Sequence, residues 1–294
     1  MENLQKAINY ETLVLATHLS DAKVLPLYNQ LKSWCDISAS IGDNLQAYKY
    51  ISGCDEDTLY KAQVSVLRAF ETLSDDIHII TPENAVWPTD VTDLPFLYIQ
   101  GNAELLKRPS ISVVGTRHAS EEGIELTRRS VASLGQEYVI VSGLARGIDC
   151  AAHIEALEKG FNTIAVIGTP VNSYYPPEHE QLQNLIAMNG LVVSQFAPCR
   201  RVQQYFFIQR NLTMSRISNG SLIVESSDAG GAVKQAKYSE EQHKNVFIFK
   251  KTYDDANLTW PKSFECPVII NDVSSVLDAV KKPVPLSNGQ AGLF

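Results

Sequence analysis

The stretch "IVSGLARGIDCAAH", residues 140–153, decides the fold that the sequence predicts. An apolar run ends at Ser142, two glycines follow four residues apart, and a segment of helical composition begins at once. A buried strand that turns tightly into a helix is the repeating element of α/β proteins. Glycine permits close backbone approach in such a turn, whereas Arg146 and Asp149 add charge to it. The stretch therefore predicts a strand-to-helix turn that approaches a ligand.

The same pattern recurs along residues 111–249, where short apolar runs alternate with segments of helix length. Runs that are apolar on both faces predict buried parallel strands, with helices covering the sheet. The predicted strands are 111–114, 139–141, 163–167, 191–193, 222–224 and 246–249, and the predicted helices include 120–134, 148–158 and 178–188. The predicted fold class is α/β, with a mostly parallel, doubly wound sheet and helices on both faces.

The flanking regions have a different pattern of apolar residues and prolines. Apolar residues before position 76 recur at spacings of three and four, which predicts a small helical N-terminal region. Asp57 is expected to cap the helix that carries the apolar run Leu59–Phe70. A proline-rich extended segment then enters a predicted strand at 96–99. The predicted parts are a helical region (1–76), an α/β domain (77–282) and a flexible tail (283–294).

Composition restricts the class of protein. No window approaches eighteen apolar residues, and the N-terminus has no basic-then-apolar signal pattern, so we expect a cytoplasmic protein outside the membrane. The 5 cysteines are widely spaced and form no CxxC pair, which predicts reduced, mostly buried thiols rather than disulfides or a zinc site. The formal net charge is −8. Residues 194–251 nevertheless hold 9 Lys and Arg against 4 Asp and Glu. The negative net charge therefore does not exclude an anionic partner that binds at this segment.

Four predicted loops follow strand carboxyl ends, where ligands bind in such sheets: "GTRHAS" (115–120), "SGLARG" (142–147), "GTP" (168–170) and "ESSDAGGAVKQ" (225–235). Their glycines and helix N-termini favour an anion, and Arg117, Arg146 and Lys234 add charge-assisted contacts. Each loop taken alone has a purely structural explanation, including a pair between Arg146 and Asp149. Together the four loops predict a crevice lined for phosphate.

Motifs for chemistry are absent from the sequence. There is no GxxxxGK[ST], no GxGxxG after residues 111–114, no HExxH and no Ser/His/Asp spacing. We therefore expect no catalysis, no cofactor and no bound metal.

Five segments carry a family resemblance: "SVVGTRHAS", "VSGLARGIDCAAH", "TIAVIGTPVNSYYPPEHEQL", "NGLVVSQF" and "FFIQRN". Their order and spacing resemble the DNA-processing protein A (DprA/Smf) family over roughly residues 80–250. The resemblance implies an extended Rossmann-like domain that binds single-stranded DNA and is not an enzyme. It also implies strand protection, loading of the recombinase RecA in natural transformation (competence), and a homodimer.

The resemblance carries over residue by residue. The family's Gly-Ser-Arg loop is matched at 115–117, and its Ser-Gly-Leu-Ala-Arg-Gly-Ile-Asp loop is complete at 142–149. Its Phe-Pro-Arg-Arg-Asn-Arg segment is matched only in part at 207–212, because Gln209 and Leu212 replace two arginines. The implied DNA or phosphate contacts are Gly115, Thr116, Arg117, Ser142, Gly143, Arg146, Gly147, Phe207, Arg210, Asn211, Gly230 and Lys234.

The aromatic run 205–207 provides rings beside Arg210, and one of its three rings is expected to stack on a base. Arg200 and Arg201 either extend this basic groove or form a solvated pair on a loop. The tail "QAGLF" resembles peptides that dock into the bacterial sliding clamp, through Gln290, Leu293 and Phe294. The alternative is a tail that folds back on its own domain.

A second function stays open at this level: a nucleotide-binding sensor, or an enzyme that cleaves N-glycosidic bonds. Related Rossmann-like proteins of that type carry a Gly-Gly loop followed by a glutamate. The pair Gly230-Gly231 matches the loop, but Lys234 and Gln235 occupy the positions at which the glutamate is expected. A third possibility is an adaptor that recruits proteins through its acidic N-terminal region and its tail.

Overall fold

The computed structural model describes residues 2–135 and 137–282, and the chain divides into two compact units. The first unit holds the residues up to Gln100 together with Thr169–Ser173 and Val193–Val202. The second unit holds the rest of the described chain. The boundaries at 76 and 282 stay predictions, and the tail residues Gln290, Leu293 and Phe294 lie outside the described residues.

The first unit contains four helices and a two-stranded hairpin. Its elements are α1 (Glu2–Thr17), α2 (Asp21–Leu31), α3 (Leu45–Ser52), α4 (Glu56–Phe70), β1 (Ile77–Ile80) and β2 (Leu97–Gly101, whose last residue counts with the second unit). The antiparallel register places Ile77 opposite Gln100 and Ile80 opposite Leu97. The helical prediction for this region is confirmed, whereas β1 was not predicted from the sequence.

Helix α4 begins earlier than its sequence pattern predicts. Asp55 is the cap, because its carboxylate accepts a hydrogen bond from the Thr58 amide at 2.8 Å. Asp57 lies inside the first turn and forms an ion pair with Lys61 at 2.5 Å, so the prediction that it caps the helix is wrong. The apolar periodicity is confirmed, since Leu59, Ala62, Val66 and Phe70 are the buried residues of the helix.

A buried ion pair lies in the first unit. The Glu11 carboxylate is buried and contacts the Arg200 guanidinium, which also reaches Asp21 at 2.7 Å. Arg200 therefore stabilises the packing of the first unit and is not a solvated loop residue. The rings of Tyr10 and Tyr28 pack beside this pair, with centroids 5.2 Å apart.

The second unit follows the predicted alternation of strands and helices. Its elements in chain order are β3 (Ser110–Val114), α5 (Glu121–Leu134), β4 (Val139–Ser142), α6 (Ile148–Glu158), β5 (Thr163–Ile167), α7 (Glu180–Asn189), β6 (Leu191–Ser194, whose last two residues count with the first unit), α8 (Gln204–Ile217), β7 (Gly220–Ile223), α9 (Gly231–Glu241), β8 (Asn245–Phe249), α10 (Lys250–Tyr253), β9 (Val268–Ile270) and α11 (Val276–Lys281). All six strands predicted between 111 and 249 are confirmed, whereas β9 was not predicted.

Six parallel strands of this unit have the order β5-β4-β3-β7-β8-β9. The first of them along the chain, β3, pairs with β4 on one side and with β7 on the other. The strand order therefore reverses at β3. Ligand sites of open α/β sheets lie at such a switch point, outside the carboxyl ends of the strands.

The two faces of this sheet are covered in different ways. Ile111 and Val113 point into an apolar cluster with α5 and α6, as alternation along a strand requires. Ser112 lies between them and bonds to Ser221 on the neighbouring strand at 2.8 Å. Gln235 of α9 donates to both hydroxyls at 3.0 Å, so polar contacts dock α9 on this face. The prediction of helices on both faces is confirmed.

Candidate nucleic-acid interface

A cleft of about 570 Å³ opens at the switch point of the second unit; we call it the switch-point cleft. Its lining includes the first loop (115–118), parts of α8 and the start of α9. A narrower side slot of about 90 Å³ shares Arg117, Tyr175, Phe207 and Arg210 with it. Arg146 and Gly168 also line the slot. The four loops that the sequence singles out therefore all reach one concave site.

Asp149 organises the second loop from within. Its carboxylate is buried and accepts hydrogen bonds from the amides of Gly143 at 3.2 Å and Ala145 at 3.4 Å. Burial raises the pKa of Asp149, while the charge of Arg210 and these amides oppose the rise. Asp149 therefore holds the loop that precedes its own helix, and the alternative in which it pairs with Arg146 is wrong.

Gly147 has a conformation that this close packing requires. Its φ is +73°, and an added Cβ would lie 2.3 Å from the Thr116 carbonyl oxygen. The first and second loops are thus in contact, because the Ile148 amide also donates to that carbonyl at 3.2 Å. A glycine at this position is needed for backbone contact between the loops, whether or not a ligand is bound.

Arg210 forms the floor of the site rather than its rim. Its side chain is buried, with a residue exposure of 5%, and Nη1 donates to the Val166 carbonyl at 2.9 Å. Gly143 lies against the guanidinium so closely that an added Cβ would be 1.5 Å from Nη1. Burial lowers the pKa of Arg210, and the charge of Asp149 counteracts this shift. Within the described residues, Arg210 Nε is buried without a hydrogen-bond partner.

Arg146 has the opposite environment. Its side chain is 59% exposed and forms an ion pair at 2.5 Å with Glu178, which is itself 48% exposed. The hydrogen bond with Glu178 raises the pKa of Arg146 and lowers the pKa of Glu178. Arg117 and Lys234 are also exposed on the cleft lining. These three residues, Arg117, Arg146 and Lys234, are the rim cations.

Two rings close one side of the site. Tyr175 and Phe207 lie with their centroids 5.0 Å apart at an angle of 47°. Phe207 covers Gly168, where an added Cβ would lie 2.6 Å from the ring. Phe206 is buried in the core, so of the run 205–207 it is Phe207 that lines the cleft and the slot.

The remaining residues of the predicted set shape the cleft. Ser142 is fully buried, and its hydroxyl donates to the Val113 carbonyl at 2.7 Å. A phosphate cannot reach it there, so Ser142 is corrected from a contact to a packing residue. Thr116 donates its amide to the Glu225 carbonyl at 2.7 Å. Asn211 bonds to the Gly231 carbonyl at 3.3 Å.

Gly115 and Gly230 line the switch-point cleft, and both are tightly packed. An added Cβ at Gly115 would lie 2.4 Å from Ile148, and one at Gly230 would lie 2.1 Å from the Ser226 hydroxyl. The fold of the loop requires the lack of a side chain at Gly115, where an added Cβ would also lie 2.7 Å from the Glu225 carbonyl oxygen. At Gly230 the close atom is the end of a serine side chain, which can turn away. The lack of a side chain also leaves the backbone of both glycines on the cleft wall.

Sequence reasoning missed two residues of this site, Tyr175 and Glu178. Tyr175 and Glu178 fall in the segment "YYPPEHEQL", whose contacts with the second loop and with α8 are set by tertiary packing. Gln235 replaces an expected acid and lines the cleft from α9. Of the two residues that replace family arginines, neither Gln209 nor Leu212 belongs to the described lining of the cleft or the slot.

The cysteines are free thiols, four of them half-buried and Cys266 exposed, so they are less buried than predicted. Over residues 2–135 and 137–282, no cluster of three or more His, Cys, Asp or Glu side chains is arranged to hold a metal ion. No helix in that part of the chain is long and apolar enough to cross a membrane.

The family model of DNA recombination-mediator protein A matches residues 78–280. Among curated proteins, the chain is 36% identical over 160 residues to the DNA processing protein DprA of Streptococcus pneumoniae, covering 54% of this chain and 57% of that protein. It is 33% identical over 184 residues to protein Smf of Synechocystis, covering 60% and 46%. The chain thus spans about half the length of the curated relatives it matches.

Two solved structures have the same fold. The crystal structure of DprA from Streptococcus pneumoniae superposes with a TM-score of 0.75 at 27% identity, over 92% of this chain and 97% of that chain. DprA from Helicobacter pylori, whose structure was described for its mode of binding single-stranded DNA, superposes with a TM-score of 0.59 at 22% identity, over 69% and 95%. The extended α/β architecture predicted from the sequence is confirmed.

Proposed function

Because this chain belongs to the DNA recombination-mediator protein A family, we propose that it binds single-stranded DNA in the switch-point cleft. Members of this family are recombination mediators and not enzymes. The observation that carries the proposal is one concave site with the rim cations around it and two rings on its wall.

The rim cations supply the electrostatic part of binding. Phosphates of a single strand are spaced so that several contact a basic groove at once, and each neutralised phosphate releases counterions. Arg117 and Lys234 are exposed on the cleft lining. Arg146 contacts a phosphate by releasing the Glu178 carboxylate with which it is paired. This attraction acts locally, so it is compatible with a net charge of −8 for the chain.

The rings supply the contact with bases. Stacking of a base on an aromatic side chain is tolerant of sequence, because every base has a π-face. Tyr175 is exposed and lies beside Phe207, which is fixed over Gly168. We assign the stacking role in the run 205–207 to Phe207, with Tyr175 as its neighbour.

Residues beneath the surface set the shape of this site. Asp149 holds the second loop through two amides, and Arg210 supports the same loop under Gly143. In this proposal Arg210 adds positive potential from the floor, and direct phosphate contact belongs to the rim cations. The proposed contacts also include the cleft-lining residues Gly115, Thr116, Phe207, Asn211 and Gly230.

The wider role that we propose is protection of single strands and their handover to the recombinase RecA, with the protein acting as a homodimer in the cytoplasm. Natural transformation is the process in which this role is expected. Light scattering tests the dimer, and the lag of RecA assembly on a strand coated with single-strand-binding protein tests the handover. A shorter lag on addition of this protein supports the proposal, whereas an unchanged lag contradicts it.

Fluorescence anisotropy of labelled oligothymidylates tests DNA binding directly. We expect affinity that rises with strand length, exceeds that for a duplex of equal length, and falls as salt is added. Three neutralised phosphates correspond to a log–log salt slope of about −2. Lys159→Ala is the control, because this exposed cation ends α6, away from the strand carboxyl ends. A wild-type protein without salt-sensitive binding at low ionic strength would contradict the proposal.

A further inference from the structure

The N-terminus of α5 occupies the place where many α/β proteins hold a phosphate. The helix follows the first loop after β3, next to the switch point. Unpaired amides and the helix dipole make such a terminus attractive to anions. In this chain the place is already filled by a carboxylate from the end of a different strand.

Glu225 follows β7 and reaches across to this helix. Its Oε2 accepts hydrogen bonds from the Ser120 amide at 3.1 Å and from the Ser120 hydroxyl at 3.0 Å. The same hydroxyl accepts from the Gly123 amide at 3.0 Å, so the cap and the carboxylate form one network. The Glu225 backbone is held as well, because its carbonyl accepts from the Thr116 amide at 2.7 Å.

Gly123 provides the space that the carboxylate needs. A Cβ added at Gly123 would lie 2.0 Å from Glu225 Oε2, although this glycine is inside a helix, where alanine is intrinsically preferred. The small residue in the first turn of α5 and the long acid that follows β7 are thus complementary. Glu225 is half-buried, with its charge directed at the helix terminus.

We propose that Glu225 is a specificity-determining residue that keeps free nucleotides and other polyphosphates out of this site. Free nucleotides carry the same bases and phosphates as DNA and compete for any cleft that recognises both. Their terminal phosphates bear more charge than the phosphodiesters of a strand, and a helix N-terminus next to the switch point is the natural place for them. An internal anion at that place repels them, while the rim cations stay accessible to a strand. The selection of a strand over free nucleotides rests on the DNA-binding proposal, whereas the exclusion of pyrophosphate is measured without it.

Glu225→Gln tests the proposal, since glutamine keeps the shape and an acceptor oxygen but removes the charge. Calorimetric titration with pyrophosphate, without divalent metal and at low ionic strength, is expected to give at least about tenfold tighter binding than wild type, because one like charge within a few ångströms is removed. Affinity for an oligothymidylate is expected to change by less than about threefold. No gain for pyrophosphate in a folded Glu225→Gln variant would overturn the proposal.

Two further variants separate the site from general charge effects. Glu121→Gln removes one charge from the same helix turn without altering the Ser120 contacts, and we expect less than about threefold gain for pyrophosphate because an exposed charge is screened. Gly123→Ala added to Glu225→Gln puts a methyl group at the position that the Glu225 carboxylate oxygen occupies in wild type, and it is expected to abolish the gain. An equal gain in Glu121→Gln, or a gain that survives the added methyl, contradicts a specific site at α5.

Backbone amide resonances of the wild-type protein provide a test at single-residue resolution. Backbone amide resonances of 120–123 are expected to stay unchanged when pyrophosphate is added at concentrations that shift the corresponding resonances of Glu225→Gln. If the wild-type amides at the start of α5 shift with a saturable dependence on pyrophosphate, Glu225 does not exclude phosphate and the proposal fails.

Discussion

Two pairs of opposite charges lie around the second loop, and they differ chiefly in burial. Asp149 and Arg210 lie beneath the second loop, and each is only 5% exposed. Arg146 and Glu178 lie on its outer side, with about half of each side chain exposed. A buried charge that loses its partner is strongly destabilising, whereas an exposed pair contributes little to stability. Burial therefore separates the charges that build the site from those that are available to a ligand.

The largest effect is expected on removal of the buried arginine. Arg210→Met leaves Asp149 without its opposing charge and removes the bond to the Val166 carbonyl. We expect the free energy of unfolding to fall by about 3–5 kcal/mol, as measured by urea denaturation. The double variant Asp149→Asn/Arg210→Met is expected to recover part of this loss. A loss below about 1 kcal/mol in Arg210→Met would show that Arg210 does not support the loop.

A pH dependence is expected from His153, which is buried in the same region. Burial lowers the pKa of His153 to about 3, and the charge of Arg210 adds to the shift. In the unfolded chain, His153 binds a proton near its ordinary pKa of about 6.5, whereas in the folded protein it stays neutral at that pH. The contribution of His153 to the free energy of unfolding is therefore fully present above pH 6.5 and decreases as the pH falls from 6.5 toward 3. At pH 5 the expected loss from this group is about 2 kcal/mol.

His153→Gln is the comparison for this pH effect. Glutamine does not titrate, so the variant is expected to lose less stability than wild type between pH 7 and pH 5, whatever its stability at pH 7. Urea denaturation at several pH values measures the difference. Parallel curves for the two proteins would contradict a buried neutral histidine.

The exposed arginine is expected to affect binding and to leave folding unchanged. Arg146→Ala is predicted to flatten the log–log salt slope of single-strand binding by about 0.7, the contribution of one phosphate. Its melting temperature is expected to stay within about 2 °C of wild type, because exposed pairs contribute little. Lys159→Ala serves again as the matched control. A large drop in melting temperature would place Arg146 with the buried pair.

The smallest effect is expected at Glu178, which competes with DNA for Arg146. Glu178→Gln removes this competing charge, so affinity for an oligothymidylate is predicted to rise by about two- to fivefold at low salt. Anisotropy titrations compare the variant with wild type, and Glu180→Gln, an exposed acid at the start of α7, is the control. Weaker binding by Glu178→Gln would mean that the carboxylate orients Arg146 for DNA.

The sequence predicts the parts of the fold that depend on local pattern. The strands and helices of the second unit have strong apolar periodicity, and the loops after them carry the glycines that their close packing requires. β1 and β9 were missed because runs such as "IHII" and "VII" are too short to show a period. Asp55, Glu56 and Asp57 are consecutive acidic residues, so the sequence pattern does not show which of them caps α4. The backbone geometry identifies Asp55 as the cap.

Charge pairing was the part that local pattern did not predict. Arg146 and Asp149 are neighbours in sequence, yet Arg146 pairs with Glu178, which lies 32 positions away. Glu225 contacts Ser120 from 105 positions away, which no spacing rule anticipates. Residue types around the cleft were predictable from the loops. Which of them are buried, paired or exposed depends on packing over long separations, and this distinction decides their function.

The salt dependence of single-strand binding by a protein that lacks all three rim cations tests the central proposal most directly. The variant Arg117→Ala/Arg146→Ala/Lys234→Ala keeps the buried pair and both rings, and its melting temperature is expected to stay close to that of wild type. Its log–log salt slope is predicted to be shallower than that of wild type by about 2, with affinity strongly reduced at low salt. A slope and affinity equal to those of wild type would contradict DNA binding at this cleft.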